Sequence, residues 1–197
     1  MVARQLTSSP GSSRGGTPTR HPGLAGELTT GYTLGWTVLL LVAAICAMVP
    51  AARWVAHHEL ALALDIRIGP APPPTLAAAG WLVVNNVRAT GWPLLAVGLG
   101  VDRHGRGLRR VVHTAVLVGL AANLLPVAAA IGVYRSQIIP YLPHLPLELY
   151  AITTGPATWL ITTRHPISRR QLAIVAVSIL GALAGAALLE TWAVPHR

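Results

Sequence analysis

The chain has 197 residues, of which 53% are hydrophobic and only 11% charged, and its mean hydropathy is +0.56. Soluble domains carry about a quarter of their residues as charges, so this composition excludes an ordinary soluble enzyme and points to an all-α integral membrane protein. The net charge of +9 comes from fifteen arginines. A nucleic-acid partner is excluded as the reason for them, because no aromatic platform or folded soluble module accompanies the basic clusters.

In chain order, residues 1–31 come first. Ser8 to Ser13 and Gly15 to Pro18 are polar and low in complexity, with almost nothing to bury, and predict a disordered cytoplasmic tail. Five apolar stretches follow, near 32–52, 75–101, 111–134, 147–163 and 171–192. A hydrocarbon core needs about 20 residues as helix, so the expected fold is a bundle of five transmembrane helices over residues 32–195, with 196–197 as the C-terminal end. The first stretch is too long for a cleaved signal peptide and reads as an uncleaved anchor. The fourth is the shortest, and Gly155-Pro156 lies within it, which predicts a broken or kinked helix. Pro93 and Pro126 predict kinks in the second and third.

Between the first two spans, large aliphatics fall on every second residue from Glu59 to Ile68. That period predicts an extended segment at the outer interface or an exposed edge for a partner, with a short interfacial helix as the alternative. The adjacent His57 and His58 do not share a helix face, and no metal site is expected there. In the fifth span, Gly181 and Gly185 form a small-xxx-small pair expected to pack closely on a neighbouring helix, within the chain or in a homo-oligomer. Cys46 is the single cysteine, and its default role is a small buried apolar side chain.

The arginines sort by loop. The tail holds Arg4, Arg14 and Arg20; the loop after span two holds Arg103, Arg106, Arg109 and Arg110; the loop after span four holds Arg164, Arg169 and Arg170. The opposite side receives Arg53, Arg67, Arg135 and Arg197. The positive-inside rule then predicts a plasma-membrane protein with a cytoplasmic N-terminus and an extracytoplasmic C-terminus.

Against this background the polar residues inside the spans stand out, because lipid tolerates them only with partners or a task. They are Asn85, Asn86 and Arg88 in the second span, Glu148 in the fourth and Glu190 in the fifth, with His144 just before the fourth. With the predicted orientation all of them converge on the outer half of the bundle. Arg88 is expected either to snorkel to the interface or to pair with Glu148 or Glu190, and such a pair would fix helix register or form part of a functional site. No Ser-His-Asp or Cys-His arrangement, phosphate-binding glycine loop or closed metal set is legible, so neither enzymatic activity nor a cofactor is expected.

Asn85-Asn86-x-Arg88, then Pro143-His144-x-x-x-Glu148-Leu149-x-Ala151, then Ala186, Glu190 and Pro195 resemble, in order and spacing, the stage II sporulation protein M family of multi-pass membrane proteins. The resemblance covers roughly Leu76 to Pro195. The chain has Leu145 where that family usually has glycine after Pro-His, and Tyr150 where a proline is common. The resemblance implies a non-enzymatic scaffold that anchors or localises partners of the cell envelope, such as a peptidoglycan-hydrolase complex in sporulation. The alternative from the intramembrane charges alone is a small permease or transporter subunit.

Overall fold

The computed structural model describes residues 23–63, 74–134 and 142–193. These form seven α-helices: α1 (Leu24–Met48), α2 (Pro50–Ala63), α3 (Leu76–Thr90), α4 (Trp92–Gly98), α5 (Arg106–Tyr134), α6 (Leu145–Thr162) and α7 (Arg169–Ala193), with one 3₁₀ turn at Val101–Arg103. Three of them, Leu24–Met48, Arg106–Tyr134 and Arg169–Trp192, are long and apolar enough to cross a membrane. At 1.5 Å per residue the 25 residues of α1 extend about 37 Å, more than a hydrocarbon core of about 30 Å.

Prolines set most of the boundaries. Val49 is extended ahead of Pro50 and ends α1, and Pro50 opens α2. Likewise Pro93 sits in the first turn of α4 and the chain breaks at Gly91, so the second apolar stretch is two helices in series. Helix α7 begins at a capping box, in which the Ser168 backbone N–H donates to Gln171 Oε1 at 2.8 Å and the Gln171 N–H donates to Ser168 Oγ at 3.2 Å.

Packing contacts give the helix directions. Leu39 meets Leu124 and Ala128, and Gly132 meets Ala43 and Cys46, so α1 and α5 run parallel. Helix α6 is antiparallel to both: Gly35 faces Thr153 and Leu149, and Gly31 faces Ala157. Helix α7 returns along α6, bringing Gly185 to Leu147. Helices α3 and α4 run against α7, with Val87 and Leu94 in a cluster with Val175, Ile179 and Leu183, and Gly98 beside Leu172. Short α2 lies over the far ends of α1 and α5, where Ala56 packs on Cys46 and Ala129.

Helix α6 sits at the centre. It is the most enclosed element, with Leu149, Ala151, Thr154, Thr158 and Trp159 essentially without exposure. Burying a threonine-rich helix is possible because each hydroxyl finds a carbonyl on its own helix: Thr153 donates to Leu149 O at 2.7 Å, Thr154 to Tyr150 O at 2.6 Å, Thr158 to Thr154 O at 2.7 Å and Thr162 to Trp159 O at 2.8 Å. The outward faces are apolar instead. Leu34, Leu40 and Leu41 on α1, Val111 and Val118 on α5, and Ile174 and Val177 on α7 are all exposed. An apolar exterior around a polar-bearing centre suits a lipid bilayer and is too extensive for a soluble surface.

Several expectations change. Residues 24–31, expected in the tail, form the first two turns of α1, while the rest of the tail lies outside the described residues. The period-two segment is helical from Glu59 to Ala63, because alanine and leucine are strong helix formers; Leu64 to Ile68 lie outside the described residues. Arg106, Arg109 and Arg110 belong to the first turns of α5 and not to a loop. The fourth helix is not broken at Gly155 and Pro156 but is continuous through both. Gly155 instead serves packing, as a Cβ there would lie 2.8 Å from the Thr90 carbonyl oxygen. Of the glycine pair in α7, Gly185 does pack on α6, but a Cβ on Gly181 would meet nothing within 4 Å. The small-xxx-small pair that does meet a neighbour is Gly31 and Gly35 of α1, seated on α6.

A Cβ at position 35 would run into the Thr153 methyl, whose rotamer is held by its own hydroxyl bond. Gly35→Ala is therefore expected to lower the thermal unfolding midpoint in detergent, by the equivalent of about 1–3 kcal/mol. Gly181→Ala should leave it unchanged or raise it. Thermal unfolding of the two purified variants, followed by circular dichroism, checks this; equal midpoints would mean that α1 and α6 do not meet at these glycines.

Candidate functional site

Three helices deliver polar side chains to one end of the bundle. His144 caps α6 with Pro143 before it and Pro146 after it, so the helix starts abruptly there, and Glu148 follows one turn on. A spacing of four puts the two side chains on one face, and His144 Nε2 lies 3.7 Å from Glu148 Oε2. Glu190 comes from the last turn of antiparallel α7. One ligand atom each from His144, Glu148 and Glu190 can be chosen so that all lie within 4.8 Å of one another.

Helix α3 supplies the fourth member. Its inward face carries Ala79, Val83, Asn86, Val87 and Thr90, the spacing of one helix side. From it Asn86 donates Nδ2–H to Glu148 Oε1 at 3.0 Å. The Asn86 carbonyl in turn accepts from the Thr90 hydroxyl at 2.7 Å, tying the end of α3 down locally. Glu148 is thus held between Asn86 on one oxygen and His144 near the other. The imidazole is mostly buried, which pushes its pKa below the ordinary value, and its Nδ1 has no hydrogen-bond partner among the described residues.

The structure brings together four of the six sequence candidates, Asn86, His144, Glu148 and Glu190, and leaves two out. Asn85 and Arg88 are both exposed. The reason is helical phase. At 100° per residue Arg88 points about 200° away from Asn86, so a helix that turns Asn86 inward turns Arg88 outward. The expected pairing of Arg88 with Glu148 or Glu190 is corrected accordingly: the group facing the carboxylate is a neutral amide. Nearby, Tyr150 donates its hydroxyl to Ser178 Oγ at 3.1 Å and links α6 to α7, a contact that no sequence pattern signalled. A second feature, lined by Thr90, Pro93, Asn123 and Pro156 where α3, α4, α5 and α6 meet, is a cavity of about 10 Å³, room for one water and no more.

Two carboxylates, an imidazole and a carboxamide at one helix end can hold a cation or pass a proton. Comparison with known proteins adds nothing to this: no family model, no curated protein and no solved structure matches the chain.

Asn86→Leu removes the donor to Glu148 and is expected to destabilise the folded chain by about 1–3 kcal/mol. Arg88→Ala should be silent, within about 0.5 kcal/mol, as for a surface substitution away from any network. Urea or thermal unfolding in detergent measures both. A larger loss for Arg88→Ala than for Asn86→Leu would restore the arginine–glutamate pairing.

Proposed function

We propose that this chain is a multi-pass protein of the plasma membrane whose five crossings are α1, α3 with α4, α5, α6 and α7, and that it acts as a non-enzymatic scaffold for cell-envelope partners. One observation carries the reading. Asn86, His144, Glu148 and Glu190, four of the residues on which the resemblance to the stage II sporulation protein M family rests, come from three separate stretches of the chain and meet at one place, while Asn85 and Arg88 of the same motif stay outside. The alternation of helix directions supports the five crossings, with α1, α5 and α7 one way and α3–α4 and α6 the other. The arginine distribution supports a cytoplasmic N-terminus and an extracytoplasmic C-terminus. In that orientation the polar cluster and α2 lie on the outer side, where envelope partners are found.

A scaffold also fits the packing. Interhelical contacts are close around α6, and the cavity beside it is no wider than a water. The second reading, a small transporter subunit, draws on a different observation, the break at Gly91 between α3 and α4 beside the carboxylate-bearing helix. Discontinuous helices recur at transport sites.

Partner recovery and flux separate the two. On α2, Trp54 and Val55 are exposed, with relative accessibilities of 60% and 50%. Cross-linking in native membranes should capture a stable envelope partner, and Trp54→Ala combined with Val55→Asp should cut that recovery by about tenfold or more, as for loss of an interface anchor, while the protein accumulates normally. The same purified chain in vesicles should carry no ion flux. Flux abolished by Glu148→Gln, with no partner captured, would overturn the scaffold in favour of the transporter.

A further inference from the structure

We propose that His144, Glu148 and Glu190 form a binding site for one divalent cation of the zinc or manganese class, clamping the start of α6 to the end of α7. This goes beyond the scaffold reading and is independent of it, since binding is a property of the purified chain with no partner present.

The first support is geometric. Ligands at about 2.0–2.2 Å from a shared tetrahedral ion lie about 3.3–3.6 Å apart. His144 Nε2 and Glu148 Oε2, at 3.7 Å, are nearly at that separation. The gap exceeds a hydrogen bond, so no direct bond between these atoms has to be broken for an ion to enter. The third ligand atom, from Glu190, completes a set within 4.8 Å, which small side-chain rotations close. The set draws on two helices and the cap between α6 and its preceding turn, so all three groups have backbones fixed by packing.

The second support is charge. Two carboxylates approach each other at the end of an apolar bundle, and the basic side chain expected to balance them, Arg88, is turned away. Asn86 offers a hydrogen bond without charge. A divalent cation balances the pair in full, and intramembrane carboxylates without a partner are otherwise costly.

The third is the donor set. Imidazole nitrogen with carboxylate oxygen suits zinc or manganese, whereas magnesium and calcium take all-oxygen ligands. His144 turns Nε2, the nitrogen that would take the ion, toward Glu148 Oε2. Asn86 has a positioning role here: by holding Glu148 Oε1 it leaves Oε2 turned toward His144.

The test uses the full chain purified in detergent and stripped with a chelator, then dialysed against Zn²⁺ or Mn²⁺ alone, with bound metal counted by elemental mass spectrometry and thermal unfolding followed in parallel. The expected result is one ion per chain and a raised unfolding midpoint, with Mg²⁺ at equal concentration giving neither. His144→Gln, Glu148→Gln and Glu190→Gln should each weaken binding by about tenfold or more, since even outer groups of a metal site are worth about that much. Each should keep the unfolding midpoint of the metal-free wild type, which separates lost ligation from lost folding. Changing His57 and His58 to glutamine together should leave the stoichiometry intact. Absence of stoichiometric Zn²⁺ and Mn²⁺ binding, or binding that survives all three ligand substitutions, overturns the proposal.

Discussion

Everything in this structure depends on how a polar helix is buried in an apolar bundle. Helix α6 has threonines at 153, 154, 158 and 162, a glutamate in its first turn and an internal proline, yet its middle is closed off on all sides. In a lipid setting no water is at hand to satisfy such groups, so each must be met from within the protein. The threonines meet the requirement on their own helix by bonding carbonyls a turn back. Glu148 cannot reach back in that way, and its needs bring in Asn86 from α3, His144 from the cap and Glu190 from α7. The candidate site is where the central helix recruits two neighbours at once for polar reasons, while Tyr150 makes a single further link to Ser178 of α7.

The apolar helices then act as a jacket. Close approach of α1 to α6 depends on Gly31 and Gly35, and of the α3–α4 junction on Gly155, where backbone replaces side chain at the contact. The Gly91–Pro93 break allows α4 to change direction and wrap the cytoplasm-proximal half of α6, in the proposed orientation, while α3 holds the other half. Dispersion across such contacts, with little hydrophobic drive between helices in lipid, is what association in a membrane rests on. The long aliphatics are left facing outward.

How much of this was legible in the sequence varies with the kind of signal. Helices α1, α5 and α7 are plain from length and hydropathy alone, since nothing but a helix satisfies that many consecutive apolar residues in lipid. The convergence of Glu148, Glu190 and His144 followed from alternating direction along the chain. What failed was phase and environment. Asn86 and Arg88 are two residues apart, and only a knowledge of which face of α3 turns inward separates the member from the bystander. Gly181 and Gly185 have the same spacing as Gly31 and Gly35, but spacing does not say which face a neighbour occupies, and Gly31 was hidden in a stretch assigned to the tail. Gly155-Pro156 looked like a break because a proline inside a helix removes one backbone bond; surrounding helices hold the segment in place regardless. Alternation from Glu59 onward suggested an extended segment, but the Leu/Ala composition of Leu60 to Ala63 favours helix over that pattern.

The enclosure of α6 can be measured directly through a natural probe. Trp159 has 0% exposure on α6, whereas Trp81 on α3 and Trp192 on α7 are exposed at 66% and 47%. In single-tryptophan variants reconstituted into bilayers of brominated lipid, fluorescence from Trp192 and Trp81 should be strongly quenched and that from Trp159 should persist close to its value in unbrominated lipid. Quenching of Trp159 to the same extent as Trp192 would mean that α6 faces lipid, and would contradict the arrangement in which a polar helix is sheltered by the other spans.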